Sequence, residues 1–270
     1  MNERTRKQFR RVGLTRTGVA SARVGLQRLL LSARGRGPGA ARPRVLCYHS
    51  VGTRQWGIND VSPRRFRHQL ETALALGYEF VPPAVVAGGD GPPQKALALT
   101  FDDGLASVAV HAAPVLRDMG IPWTLFVVTD WASGRVPGGL DAGLFLDWRM
   151  IEQLMGMGMS VGSHSVTHSR LSGLSTDALA DELGCSRLAI ETHLGVTPEE
   201  FAFPVGRRAD WHPDAAEAAR LAGYRFVYAA CEHRRPPGTL PRTMVTSWDG
   251  DRLFRAALDG RFDDWEEWLW

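Results

Sequence analysis

Cysteine is scarce in this chain of 270 residues. The three cysteines, Cys47, Cys185 and Cys231, lie far apart and form no Cys-x-x-Cys pair. An odd and scattered set of this kind indicates neither a disulfide framework nor a cysteine-based zinc site. The cysteine content is compatible with a reducing compartment.

The N-terminal segment also lacks a long apolar run. Its longest run is Leu29 to Leu31, which is too short for the apolar region of a secretory signal or for a membrane span. We therefore expect a cytoplasmic or peripheral membrane protein with no recognisable signal peptide or transmembrane helix.

Lysine is nearly missing, since it occurs only at Lys7 and Lys95, and acidic residues are nearly missing from the first 44 positions. Those 44 positions hold twelve Arg or Lys and one acid, Glu3, and so carry +11 in a chain whose net charge is +3. The sequence GVASARVGLQRLLLSARGRG at 18–37 predicts an amphipathic helix. The apolar stripe expected on this helix, interrupted by arginines, contains Val19, Val24, Leu26, Leu29 and Leu30.

An acidic partner is the natural target of such a helix. It suits an anionic membrane surface, and nucleic acid is the other acidic partner to consider. A transit peptide or a solvated basic tail would have a similar composition. The Gly- and Pro-rich stretch GRGPGAARP that follows predicts a linker. We therefore expect an arm and linker over 1–43 that contacts the membrane rather than nucleic acid, and a folded domain over 44–270.

The folded domain alternates apolar strands with helices. Ser62 and Pro63 predict a helix start by N-cap and first-turn preferences, and Asp147 predicts another after a long loop over 129–146. Strands that are apolar on both faces and separated by helices indicate a parallel sheet covered by helices, and their number suits an α/β barrel. The expected strands are 44–50, 78–82, 96–101, 123–128, 159–164, 201–205, 224–230 and 242–245.

Two adjacent carboxylates end the buried strand in ALALTFDDGLASV at 96–108. A helix N-cap would explain one aspartate and the following Gly104. It explains the pair of like charges, Asp102 and Asp103, less well. In an α/β barrel the chemistry lies at the carboxyl ends of the strands, which is where this pair is expected.

Histidines supply the other half of a metal constellation. His164 and His168 are four residues apart, and on one helical turn such a pair faces the same way and can bind one ion. Taken alone, they could equally be surface or core histidines. With the aspartate pair ending a nearby strand, they predict a site of two imidazoles and one carboxylate, with the second aspartate left as a base. A cation there would offset the repulsion between the carboxylates.

Three stretches resemble the motifs of the polysaccharide deacetylases, also called the NodB-homology or carbohydrate esterase family 4 group. They are TFDDG at 100–104, HSVTH at 164–168 and FAFPVG at 201–206, within a match over roughly 44–250. The resemblance implies a distorted (β/α) barrel of about seven parallel strands, a divalent ion, usually zinc, and hydrolytic removal of N-acetyl groups from amino sugars. It implies Asp103, His164 and His168 as metal ligands and Asp102 as the general base.

The third motif departs from the pattern of many members, which is Arg-x-Pro-Tyr. Ala202 stands at the position of that arginine, and Val205 at that of the tyrosine. The family takes its oxyanion contact from a backbone N–H after the proline, here Pro204, so Val205 can still provide it. The missing arginine leaves Asp102 without its usual charge partner, and Arg242 is a candidate substitute.

The second departure concerns the general acid. Many members carry a Leu-x-x-His strand near their C-terminus, and no such motif follows residue 240. VLCYHSV at 45–51 resembles instead the permuted branch that deacetylates exopolysaccharides such as poly-N-acetylglucosamine, in which the equivalent strand comes first. His49 is therefore the expected acid, with a core histidine as the alternative role and His233 as the next candidate. The remaining histidines, which lie in predicted helices or loops, are expected to be structural: His68, His111, His193 and His212.

The sequence thus predicts a metal-dependent N-deacetylase, with zinc as the expected ion and an N-acetylated glycan as substrate. Trp148 and other aromatic residues near strand ends are expected either to stack on sugar rings or to pack in the core. Three alternatives stay open: a catalytically inactive carbohydrate-binding protein on the same fold, an O-deacetylase, and a protein whose function lies in the basic arm.

Overall fold

A computed structural model describes residues 16–34, 42–88, 91–205, 210, 212, 214–230 and 235–263. Several of the positions singled out above lie outside these residues: His233, Cys231, the final glycine of the third motif, and both 1–15 and 35–41 of the predicted arm.

A curled parallel sheet forms the centre of the molecule. Seven strands follow one another in the order β10-β1-β5-β6-β7-β8-β9, while β4 pairs with the first two residues of β5 and β2 pairs with β3 in a separate small sheet. This arrangement confirms the predicted distorted (β/α) barrel with about seven parallel strands. The strands in the described ranges are β1 (Arg44–Tyr48), β2 (Ser50–Val51), β3 (Asp60–Val61), β4 (Glu79–Phe80), β5 (Ala96–Phe101), β6 (Trp123–Val127), β7 (Ser160–Ser163), β8 (Glu200–Ala202), β9 (Phe226–Tyr228) and β10 (Thr243–Met244).

The first and last strands of the sheet are neighbours. Strand β1 pairs in parallel with β10, where Leu46 lies opposite Thr243, and with β5 on its other side. Beyond β9, Leu240 exchanges backbone hydrogen bonds with Val227 and Ala229 and brings the sheet edges together. The permuted order inferred from the sequence therefore leaves His49 beside the strand that carries the aspartate pair.

Helices cover the outer face of the sheet. Local chemistry explains where several of them begin: the Ser62 hydroxyl accepts from the Arg65 N–H, with Pro63 at the first position, and the Asp147 carboxylate accepts from Met150 N at 2.7 Å. The helices in the described ranges are α1 (Arg16–Arg34), α2 (Pro63–Ala75), α3 (Pro83–Ala87), α4 (Ala113–Met119), α5 (Thr129–Ala132), α6 (Trp148–Met155), α7 (Thr176–Leu194), α8 (Ala215–Leu221) and α9 (Asp251–Leu258).

Shorter helical turns connect these elements. A π-helical segment, Val108–Ala112, precedes α4, and 3-10 turns occur at Arg54–Asn59, Ala142–Leu144 and Leu171–Gly173. The predicted loop over 129–146 therefore contains α5 and a 3-10 turn. The strand predicted at 201–205 ends at Ala202, because Pro204 follows and Val205 has a φ of 63°.

Alternation along the strands decides which side chains line the barrel interior. Val45, Ala98, Phe126, Ala202 and Tyr228 form one buried cluster from five different strands. Side chains two residues apart in a strand share a face. Cys47 therefore shares the interior face of its strand with Val45, and Thr100 shares it with Ala98, each nearer the carboxyl-terminal edge of the sheet.

Helix α1 packs on the flank of the body. Val24 contacts a cluster on and after α9, and the buried Arg28 side chain donates to both carboxylate oxygens of Asp249 at 2.7 Å. The predicted single apolar stripe is wrong, because Val24 faces the body whereas Leu26, Leu29 and Leu30 are exposed. Within the described ranges, none of the helices has both the length and the apolarity that crossing a membrane requires.

Candidate active site

Backbone strain is concentrated at the carboxyl-terminal edge of the sheet. Among the described non-glycine residues, positive φ occurs at Asp103 (72°), Ser165 (68°), His168 (63°) and Val205 (63°). All four directly follow or lie just beyond β5, β7 or β8. Side chains other than glycine rarely adopt this conformation, and a β-branched residue such as valine does so least readily. Strain of this kind clusters at functional sites, where it directs backbone groups and side chains.

Asp102 is held by a buried arginine. The two terminal nitrogens of Arg242 donate to the two carboxylate oxygens at 2.6 and 2.8 Å. Burial by itself would raise the pKa of Asp102, but the charge and hydrogen bonds of Arg242, together with the nearby His164 and His49, outweigh it and lower that pKa to about 2. Arg242, the predicted substitute for the missing motif arginine, therefore does lie against Asp102 and keeps it ionised.

Asp103 and the two histidines converge on one point. Asp103 Oδ1 lies 3.7 Å from His164 Nε2 and 3.3 Å from His168 Nε2, and the three ligand atoms lie within 4.8 Å of one another. His164 Nδ1 hydrogen-bonds the Ala202 carbonyl at 2.8 Å, which leaves Nε2 with its lone pair directed to the cluster. Asp103 Oδ1 is buried with no hydrogen-bond partner. An orphaned oxygen facing two imidazole nitrogens fits a divalent cation.

The histidine pair reaches this point by a different route from the one predicted. His164 and His168 lie in a loop after β7 and not on one helical turn. The left-handed conformations of Ser165 and His168 reverse the chain, and the Ser165 hydroxyl accepts from the His168 N–H at 3.1 Å. A tight loop therefore brings the rings together, with centroids 5.0 Å apart.

The protonation states follow from the packing. Burial lowers the pKa of His164 to about 4, so this ring is neutral at pH 7. Burial opposes ionisation of Asp103, but the close contact with His168 and the other nearby imidazoles together outweigh that effect and lower the pKa of Asp103. Burial also opposes ionisation of His168, but the Asp103 and Asp102 carboxylates together overcome it and raise the pKa of that ring. A cation would compete with the His168 proton for the cluster.

His49 lies close to Asp102. Ligand atoms of Cys47, His49 and Asp102 lie within 4.8 Å of one another, and the buried Nδ1 of His49 has no hydrogen-bond partner. The Cys47 thiol donates to Asp102 Oδ2 at 3.4 Å, and burial raises the pKa of this thiol well above its usual value. The prediction that His49 donates a proton to the product stays a prediction.

Aromatic side chains that the sequence did not single out surround the cluster. The Trp56 indole N–H donates to Asp103 Oδ2 at 3.1 Å, and the Trp131 ring packs on His168 with centroids 5.1 Å apart. Phe145 lies between the two indoles and contacts both. The sequence marks Trp56 only as an aromatic residue in a polar turn between two short strands. This pattern is too common to predict a site residue.

Pro204 and Val205 lie after β8 and not within it, whereas Trp148 lies on the predicted helix. The last carbonyl of β8 holds His164. Trp148 begins α6, donates its indole N–H to the Ser133 hydroxyl at 3.0 Å and stacks on His193 at 4.5 Å. It also packs against the main core, so its described contacts are those of a structural residue.

The comparisons agree with this geometry. The family model described as polysaccharide deacetylase matches residues 89–227. YxkH of Bacillus subtilis (strain 168) is 24% identical over 190 residues, which cover 69% of this chain and 63% of that protein. The chain therefore spans less than two thirds of the length of this relative.

Several solved structures share the fold. IcaB from Ammonifex degensii superposes with a TM-score of 0.66 at 28% identity, over 81% of this chain and 97% of IcaB. The Streptococcus pyogenes deacetylase PplD, in complex with acetate, has a TM-score of 0.66 at 23% identity, over 77% of this chain and 94% of PplD. Because the family model matches more than half of the residues, the chain belongs to the polysaccharide deacetylase family.

Proposed function

We propose that this chain is a metal-dependent deacetylase that removes N-acetyl groups from the amino-sugar residues of a polysaccharide or other glycan. The observation that carries the proposal is the division of labour between two adjacent carboxylates. Asp103 presents an orphaned oxygen to two imidazole nitrogens, whereas both carboxylate oxygens of Asp102 accept hydrogen bonds from Arg242. Family membership supports the same activity.

Asp103, His164 and His168 would hold the divalent ion. The donor set of two imidazoles and one carboxylate suits Zn²⁺ and leaves coordination positions for water and substrate. When bound, such an ion polarises an acetyl carbonyl and makes a coordinated water more acidic. Trp56 fixes the second oxygen of Asp103, so that the first one is directed to the ion.

The protein side chains would then move the protons. Asp102, ionised at all working pH values because its pKa is about 2, takes a proton from the attacking water. The Val205 N–H, set in its unusual conformation, donates to the oxyanion of the tetrahedral intermediate. His49 gives a proton to the leaving amine, which is a poor leaving group without one.

The test measures bound metal and released acetate together. Asp103→Ala, His164→Ala and His168→Ala are each expected to lose metal, measured by elemental analysis, in parallel with acetate release from N-acetylglucosamine oligomers. His68→Ala is the matched control, because His68 is an exposed histidine on α2. Full metal occupancy in all three site variants would refute the ligand assignment.

His49→Ala tests the acid and separates the N-acetyl from the O-acetyl substrate. We expect metal to be retained, acetate release from the N-acetyl substrate to fall by about 10²-fold, and the alkaline limb of its pH–rate profile to disappear. An O-acetyl ester has a better leaving group and would depend less on this proton. Equal losses on both substrates, or none on either, would contradict the assignment. Acetate release from the O-acetyl substrate alone would favour the O-deacetylase.

A further inference from the structure

Helix α1 presents an apolar face to solvent that the body does not cover. Leu26 is 59% exposed, Leu29 45% and Leu30 38%. Ala22 and Ala33 are exposed on the same face, since residues 22, 26, 29, 30 and 33 recur at the spacing of one side of a helix. We call these five residues the outer stripe.

The opposite face of α1 is fixed to the body. Arg28 is fully buried and donates to Asp249 and to the Met244 carbonyl, the latter at 2.7 Å. Gly25 lies so close to the Trp248 ring that an added Cβ would sit 2.6 Å from it. These contacts set the rotation of the helix about its axis, so the outer stripe points outward as part of the folded protein.

The charge of the segment is the second observation. Of the twelve basic residues in 1–44, Arg28, Arg42 and Arg44 pair with carboxylates of the body. Over the whole of 1–44 the basic residues exceed the single acid, Glu3, by eleven charges. Trp248, 40% exposed, adds an aromatic ring beside the stripe and donates its indole N–H to Ser21. Apolar side chains next to an excess of cationic ones form the surface that an anionic bilayer binds.

We propose that the outer stripe docks α1 flat on an anionic membrane surface, with the leucines in the acyl boundary and the cationic segment among the headgroups. A second copy of the chain is a poorer occupant, because pairing two stripes would bring two cationic segments together. Nucleic acid would match the charge but not the leucines. The proposal is independent of the proposed reaction.

Docking would also orient the enzyme. Helix α1 shares a cluster with Ile58, in the same turn as Trp56, which donates to Asp103. The carboxyl-terminal edge of the sheet therefore lies next to the docked flank. A membrane-bound molecule would hold its catalytic edge beside the bilayer and would favour glycans at that surface.

Vesicle co-sedimentation of the full chain tests the proposal. Wild type is expected to sediment with vesicles of phosphatidylcholine and phosphatidylglycerol, less so at high salt, and poorly with phosphatidylcholine alone. The outer-stripe variant L26Q/L29Q/L30Q should lose about tenfold or more of its partitioning. The matched control L74Q/L188Q/L221Q replaces three exposed leucines on other helices and should bind like wild type.

Folding is checked by thermal unfolding and by acetate release from a soluble substrate, both of which the outer-stripe variant should retain. If that variant does not fold, Leu26→Asp replaces it, because it adds a negative charge at the most exposed leucine of the stripe. Wild-type sedimentation by a folded stripe variant would overturn the proposal, as would equal binding to neutral vesicles. A concentration-dependent dimer in solution that the stripe variant abolishes would assign the face to a second copy instead.

Discussion

Two buried arginine–aspartate pairs stabilise different regions of this molecule, and they differ in the groups that surround the carboxylate. On the flank, Arg28 holds Asp249, whose Oδ2 also accepts from the Thr246 N–H at 2.7 Å and from the Thr246 hydroxyl at 3.2 Å. At the carboxyl-terminal edge of the sheet, Arg242 holds Asp102. All four side chains are essentially excluded from solvent.

The neighbours of the two carboxylates make the difference. The hydrogen-bond partners of Asp249 other than Arg28 are a backbone N–H and a hydroxyl, neither of which titrates in the working range. Asp102 lies 3.8 Å from His164, accepts from the Cys47 thiol and stands next to Asp103. The Arg28–Asp249 pair, whose neighbours do not titrate, therefore serves to stabilise the fold. The Arg242–Asp102 pair has titratable neighbours, and there the arginine keeps the carboxyl group ionised.

Replacing each aspartate by asparagine should give the largest contrast. Asp102→Asn is expected to retain metal and the fold but to lose about 10²–10⁴-fold in acetate release, since a positioned base contributes that much. Asp249→Asn should lower the melting temperature and leave the kcat of the folded protein close to wild type. Near wild-type turnover of Asp102→Asn would show that Asp102 is not the base and that the two aspartates do not differ in function.

Removing one arginine tests the flank. Arg28→Met is expected to cost about 3–5 kcal/mol of unfolding free energy, because it leaves Asp249 buried without its counter-charge. The double variant Arg28→Met/Asp249→Leu should recover part of that loss, which chemical denaturation would measure. If the single and double variants were equally destabilised, burial of an unpaired charge would not be the cause.

Arg242→Lys should produce the smallest and most specific change. A lysine keeps the charge but not the two parallel hydrogen bonds, so the pKa of Asp102 should rise from about 2. Because the ionised carboxylate is the proposed base, the acid limb of kcat/KM should move to higher pH by roughly one to two units, as expected for the loss of one charge-assisted hydrogen bond. An unchanged acid limb would show that Arg242 only positions Asp102.

The depressed pKa of Asp102 also bears on stability. Since the folded-state pKa lies below the unfolded value, ionised Asp102 stabilises the fold above its unfolded pKa, and this contribution is lost as the pH falls toward about 2. Arg242→Lys should retain less of it, so the acid unfolding midpoint should shift upward.

Motif spacing and strand periodicity were sufficient for much of this structure. They placed Asp103, His164 and His168 at strand ends on the same edge of the sheet and paired the first strand with the last. They failed where the conformation depends on tertiary context. A His-x-x-x-His spacing looks helical, yet Ser165 and His168 take left-handed conformations in a loop.

The flank shows a second limit. A helical pattern tells which side chains share a face but not which face meets the body, and Arg28 turned inward because Asp249 lies opposite it, 221 residues later. The position of Trp56 could not be predicted from the sequence for a similar reason. Its turn is shaped by β2 and β3, two-residue strands joined by a Ser50–Asp60 hydrogen bond, and strands that short have no detectable periodicity.

The pairing of β1 with β10 has a consequence for biosynthesis. Strand β1 is made before the other described strands of the sheet, yet its ladder on one side needs Thr243 and Met244, nearly two hundred residues later. The sheet cannot close until those residues have been made, and such distant pairing forms slowly. Until then the nascent chain exposes an open strand edge at β1, next to the strand that carries Asp102 and Asp103, and so needs protection from aggregation.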